Sequence, residues 1–174
     1  MSFVKTKQIV PFTQGATVTV ANTTTETTLV STTGIGGVEL IKNGFTVGKT
    51  YRVSGCGVFS NTGTPTLELK VKFGATVVLD SGAITTTTSA SNREFYFTGL
   101  LTVTALGASG AVIGQGLFHE TATSGSGKVY PLSNASAVTV DTTTNQTVNV
   151  TVTWGAASAS NTITLTNFLL EELN

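Results

Sequence analysis

Chemistry-bearing residues are scarce in this chain. Its 174 residues include one cysteine, one histidine and one tryptophan, and charged residues make up only 10%. The lone Cys56 excludes an internal disulfide framework and a cysteine-built zinc site, and it reads as a small buried hydrophobe. A hydrolytic triad needs a base in reach of its nucleophile and an acid to orient that base. His119 is the one histidine, and in the strand-like run Gly116–Glu120 its neighbour Glu120 must project to the opposite face. Asp80 or Asp141, distant in sequence, could reach it in space. Glu171 and Glu172 read as solubilising charges near the chain end. Gly125-Ser126-Gly127-Lys128 fails the phosphate-loop pattern, which wants Gly at Ala122 and Ser or Thr at Val129. No Asp-rich calcium spacing is present. No catalytic, cofactor-binding or metal-binding residue is therefore assigned, and no cofactor is expected.

Nine Lys/Arg against nine Asp/Glu, scattered along the chain, form no basic stripe for a phosphate backbone, so nucleic acid is not an expected partner. No apolar run approaches the roughly 18 residues of a spanning helix, and no membrane partner is expected. The first residues carry lysines but no apolar leader core, which predicts synthesis and folding in a cytoplasm. Low charge in a chain rich in β-formers invites edge pairing unless edges are closed or buried between subunits, and so points to an oligomer.

What is present is threonine, at roughly a fifth of positions. It alternates with Val, Leu, Ile and Phe, as in Thr147-Val148-Asn149-Val150-Thr151-Val152-Thr153-Trp154. That period of two is a pleated surface with one apolar and one hydroxyl face. Turn residues divide the chain into about eleven strands with no helix: Thr17–Val20, Glu26–Ser31, Val38–Ile41, Thr50–Ser60, Thr66–Phe73, Thr76–Leu79, Arg93–Ala105, Gly110–Ala122, Ala137–Asp141, Thr147–Trp154 and Thr162–Glu171. Count and pattern predict an all-β fold, an antiparallel two-sheet β-sandwich of jelly-roll type. Residues 1–15 read as an N-terminal arm, with Phe3, Val4, Ile9, Val10 and Phe12 as its anchor, and residues 16–174 as the sandwich domain.

Alternation also assigns faces. Leu67, Leu69, Val71 and Phe73 point one way and Glu68, Lys70 and Lys72 the other, so Thr66–Phe73 has one wet face. Arg93–Ala105 is apolar on both sides, with Phe95, Phe97, Leu101 and Val103 opposed by Tyr96 and Leu100. Near the C-terminus Ile163, Leu165 and Leu169 oppose Phe168 and Leu170. Two-sided strands need a second cover, so Phe95, Tyr96, Phe97, Leu100, Phe168 and Leu170 are the candidate subunit interface. Trp154 is in phase with Val148, Val150 and Val152 and is expected in the core. The Gly/Ser run Thr121–Lys128 and the loop-like stretch after it supply a candidate exposed contact loop with Ser124, Lys128 and Tyr130. Gly44, Gly48, Gly55, Gly57, Gly114 and Gly116 mark bulges or close backbone approach.

The runs Ala21–Leu29, Thr46–Val53, Gly63–Leu67, Gly114–His119 and Trp154–Ile163 resemble a recurring Thr-rich domain of virion proteins of tailed bacteriophages. The likeness spans about residues 20–174. It implies a jelly roll similar to tumour-necrosis-factor-like homotrimers, packed about an axis through apolar sheet faces. It further implies a non-enzymatic structural protein of the virion. The leading expectation is a capsid decoration protein, of cement or short head-fibre type, whose partner is the major capsid protein or another virion protein. The alternative is a tail-fibre or baseplate tip recognising a host glycan.

Overall fold

The structure is a computed structural model that describes residues 7–10, 17–30, 39–121 and 127–174. The fold is a two-sheet antiparallel sandwich. Strands β1 (Lys7–Val10), β2 (Val18–Ala21), β5 (Thr50–Ser60), β9 (Arg93–Ala105), β10 (Ala111–Glu120), β11 (Lys128–Ser133), β12 (Val138–Thr139) and β14 (Thr162–Glu172) form one sheet. The smaller sheet holds β3 (Thr27–Thr28), β4 (Glu39–Leu40), β6 (Thr66–Phe73), β7 (Thr76–Asp80), β8 (Ile84–Thr85) and β13 (Gln146–Trp154). A single 3-10 turn, Lys42–Gly44, follows β4 among the described residues.

Partners nest in sequence and alternate between sheets. β2 pairs with β14, β3 with β13, β5 with β9, and β6 with β7, all antiparallel. A long hairpin rolled on itself gives this order, which is that of a jelly roll. Strands β10, β11 and β12 extend the larger sheet beyond β9.

Inward alternate positions fill one core. Tyr51, Val53 and Phe59 of β5 and Phe95, Phe97, Leu101 and Val103 of β9 face Leu67, Leu69, Val71 and Phe73 of β6 and the Val148, Val150, Val152 and Trp154 run of β13. Phe95 stacks on Phe118 with ring centroids 5.7 Å apart. Tyr51 meets Phe45 and Phe73 edge-on, at 6.2 and 6.5 Å. Glycine is required at Gly57 in β5, where neighbouring strands of the larger sheet crowd it: a Cβ would fall on the carbonyl oxygen of Thr164 in β14 and lie 3.0 Å from the ring of Phe95 in β9.

The threonines on outer faces pair across strands. Thr50 Oγ1 lies 3.0 Å from Thr102 Oγ1, and Thr19 Oγ1 lies 2.7 Å from Thr164 Oγ1. The wet face of β6 is an ion-paired ladder: Lys70 meets Glu68 at 2.9 Å, and Lys72 meets Glu26 at 2.8 Å. Thr151 also donates to Glu26, at 2.9 Å. The Lys72 hydrogen bond, helped by Thr151 and the nearby lysine charges, holds the Glu26 carboxyl below the usual carboxylate range.

Several expectations are corrected. The stretch around Tyr130, read as a loop, is strand β11, paired with β10 from Gln115↔Ser133 to Glu120↔Lys128. Its Pro131 is tolerated because β11 is an edge. Short β8 was not expected. Lys7–Val10, within the residues read as the arm, pairs as β1 along β14, which the reading of an arm had left open. In β14 the register shifts between Leu165 and Asn167, so Ile163, Leu165, Phe168 and Leu170 all point inward, leaving Leu169 on the outer side. The extra residue of this bulge reverses the alternation.

Candidate association face

The outer face of the larger sheet is where exposed apolar side chains collect. Strict alternation turns Tyr96 and Leu100 of β9, Ile113 and Leu117 of β10, and Val129 of β11 away from the core. These five retain 36–56% of their accessible surface. Register makes them neighbours. Tyr96 stands opposite His119, and His119 opposite Val129. Leu117 lies between Thr98 and Pro131, and Leu100 between Arg52 and Gln115.

Charge on this face is largely consumed at its margin. Arg52 Nε donates to Glu171 Oε2 at 2.6 Å, closing the row that begins at Leu100. The Tyr96 and His119 rings lie 4.9 Å apart at 33°. His119 Nδ1 is buried without a hydrogen-bond partner among the described residues. Cys56, expected to be buried, is instead half-buried on this face beside Tyr96, with Asn167 Nδ2 3.6 Å from its Sγ. Next to it is a hollow of about 340 Å³ lined by Cys56, Val58, Glu94, Tyr96, Thr121 and Thr166, with Gly57 and Phe95 beneath.

The sequence-derived interface set divides. Tyr96 and Leu100 lie on the exposed face. Phe95, Phe97, Phe168 and Leu170 are turned into the core of the chain and are not on a surface at all. Ile113, Leu117 and Val129 were missed, although the alternation of β10 could have supplied the first two. Of the arm anchor, Phe3, Val4 and Phe12 lie outside the described residues, and Ile9 and Val10 are placed only as backbone of β1.

Among the contact-loop residues, Ser124 lies outside the described residues. Tyr130 is not free to make an exposed contact. Its ring packs on Phe118 at 6.3 Å and its hydroxyl donates to the Thr85 carbonyl at 2.8 Å. Burial, with the Glu120 charge beside it, pushes its phenol up to about 12. Lys128 remains exposed, its Nζ 3.5 Å from Glu120 Oε1.

Glu120, facing inward from the strand that turns His119 outward, is a buried structural anchor. It accepts from Thr87 Oγ1 at 2.7 Å and Thr87 N at 3.3 Å. Glu171 and Glu172 also serve structure, paired with Arg52 and with Lys49, the latter at 2.6 Å. Trp154 is buried as expected, its indole N–H without a partner among the described residues.

Among the described residues, the strand order is that of a jelly-roll sandwich whose larger sheet carries exposed apolar side chains on its outer face. No protein-family model and no curated protein matches the chain. Among solved structures, the CBM2 module of the evolved Dit of Lactobacillus casei BL23 phage J-1 is similar at 14% identity. The TM-score is 0.35, and the match covers 80% of this chain and 68% of that one.

Proposed function

We propose that this protein is a non-enzymatic structural component of a bacteriophage particle, a decoration protein that sits on the outer capsid surface as a homotrimer. The observation that carries the reading is the face built by Tyr96, Leu100, Ile113, Leu117 and Val129. Exposed apolar patches rimmed by polar residues mark association sites, and a rigid sheet face loses little entropy when covered. Copies of the chain are the occupant, in line with the trimers implied by the resemblance over residues 20–174. Three-fold closure presents several weak lattice contacts at once, which supplies avidity without ligand chemistry.

A second reading has one observation in its favour. The hollow beside Tyr96 combines an exposed aromatic ring, the Glu94 carboxylate and the Thr121 and Thr166 side chains. Those groups suit a sugar, as a receptor-binding tail tip would require. Cryo-electron microscopy of the particle that encodes the chain separates the two. Trimeric density at lattice points on the head is the expected result. Density confined to the tail would move the protein to the second reading, and absence from the particle would overturn both.

A further inference from the structure

Strand β10 turns the one histidine of the chain outward. His119 stands on the same face as Leu117, two residues before it, with Tyr96 opposite it on β9 and Val129 opposite it on β11. An imidazole ordinarily changes charge between about pH 5 and 8, so what surrounds this ring decides what such a change does.

The surroundings hold the ring and give an added proton no acceptor. Tyr96 lies against it, with ring centroids 4.9 Å apart. Gly127 closes on its Nε2 edge, where a Cβ would lie 2.5 Å from that nitrogen and 2.8 Å from the Glu120 carbonyl oxygen. Nδ1 is buried and has no hydrogen-bond partner among the described residues. A protonated ring carries an N–H at both nitrogens, and the one at Nδ1 would go unpaired there.

Charged groups near the ring are turned elsewhere. Glu94 is exposed on the same side of β9 and borders the hollow beside Cys56. Among the described residues no ion pair joins it to His119. Arg93 donates to the Thr121 carbonyl at 3.0 Å, and Lys128, beside Val129, reaches Glu120 at 3.5 Å. Cys56 and Arg52 are a strand further off on β5, and Arg52 is paired with Glu171. Residues 121–127 contain no titratable side chain.

We propose that His119 makes association through this face pH-dependent: copies assemble with the ring neutral, and its protonation releases them. This rests on the association face of the proposed function. In the single chain, water at the open face solvates an imidazolium. A covering apolar surface removes that water and supplies no counter-charge. The dissociated chain therefore binds the proton more readily, and assembly weakens as pH falls. One pH unit below the titration of a free imidazole, near 6.5, the loss is about tenfold per protomer and about a thousandfold for three.

The test is sedimentation equilibrium of the wild type and His119→Gln at pH 8 and pH 5.5, both above the usual carboxylate range. The imidazole proton resonance is followed in parallel, and with one histidine in the chain it needs no assignment. The expected result is a wild-type trimerisation constant about a thousandfold lower at pH 5.5, with the resonance moving to the imidazolium position as the mass falls. His119→Gln should lose most of that dependence. A wild-type constant that is unchanged or higher at pH 5.5, an imidazolium signal from an intact trimer, or equal pH dependence in His119→Gln would overturn the switch and leave association standing. Should the variant fold poorly, the mass and resonance of the wild type decide by themselves. A wild type that stays monomeric at pH 8 would remove the association reading, and the switch with it.

Discussion

Tyr96 and His119 stand directly opposite each other on the outer side of strands β9 and β10, with ring centroids 4.9 Å apart, while Phe97, one residue on from Tyr96, lies wholly in the core. One strand thus carries core residues on one face and the proposed association face on the other, and substitutions at adjacent positions should separate the two roles. Phe97→Asp is expected to lower stability by more than about 3 kcal/mol, because it empties a core site and buries a carboxylate without a partner. Tyr96→Asp is expected to leave the melting temperature of the isolated fold nearly unchanged and to act on association. Thermal unfolding at low protein concentration checks both. Equal destabilisation by the two variants would mean that the faces are not independent.

Gly57→Ala should be far more damaging than its size suggests. The added methyl meets backbone, the Thr164 carbonyl oxygen, which cannot turn aside as a side chain would. A loss of roughly 1–3 kcal/mol is expected. Gly44→Ala, whose Cβ would meet only Ile41 Cγ1 at 3.6 Å, serves as the mild comparison. Denaturant unfolding followed by the emission of the single buried Trp154 reads both.

Glu120→Ala should destabilise the corner where β8, β10 and β11 meet. Thr87 would lose the acceptor for its Oγ1 and N, and Tyr130 the weaker of its two acceptors. The expected cost is about 1–3 kcal/mol. Hydrogen exchange should open first at Thr87 and along Lys128–Ser133, and uniform loss of protection across both sheets would contradict a local role.

Acid should weaken the smaller sheet through Glu26. Its carboxyl is held below its ordinary value of 4.5, chiefly by the Lys72 hydrogen bond. The folded state therefore binds that proton less readily than the unfolded chain does. The stabilisation is present above about pH 4.5 and is lost as pH falls through the folded-state value. Because Glu26 is largely solvated, the effect should be modest and salt-sensitive. Glu26→Gln should flatten this part of the stability profile, and an unchanged profile would assign acid sensitivity elsewhere.

The alternation of Thr with large apolar residues was sufficient to read the sandwich, because each long strand keeps one period for most of its length. Thr66–Phe73 and Thr147–Trp154 lie as their patterns predict. Reading failed where a local event breaks the period or where pairing is remote. The bulge in β14 shifts one residue, and parity alone then assigns Phe168 and Leu170 to the wrong side. Lys128–Ser133 contains Pro131 and has too little alternation to read as a strand, so its pairing with β10 was invisible locally. The proposed association face was only partly legible. Tyr96 and Leu100 stood out because they oppose phenylalanines, whereas Leu117 and Ile113 sit among glycines and polar residues, and Val129 borders a Gly/Ser run.

The most direct test of the account is the solution mass of the wild-type protein and of Leu117→Lys, measured by sedimentation equilibrium. Leu117 is exposed at the centre of the proposed face, so lysine there should be tolerated by the isolated fold. The account expects three times the 17.9 kDa chain mass for the wild type, and a folded species of 17.9 kDa for the variant. A wild-type protein that remains a 17.9 kDa monomer at every concentration, or a variant that assembles as the wild type does, would contradict association through this face.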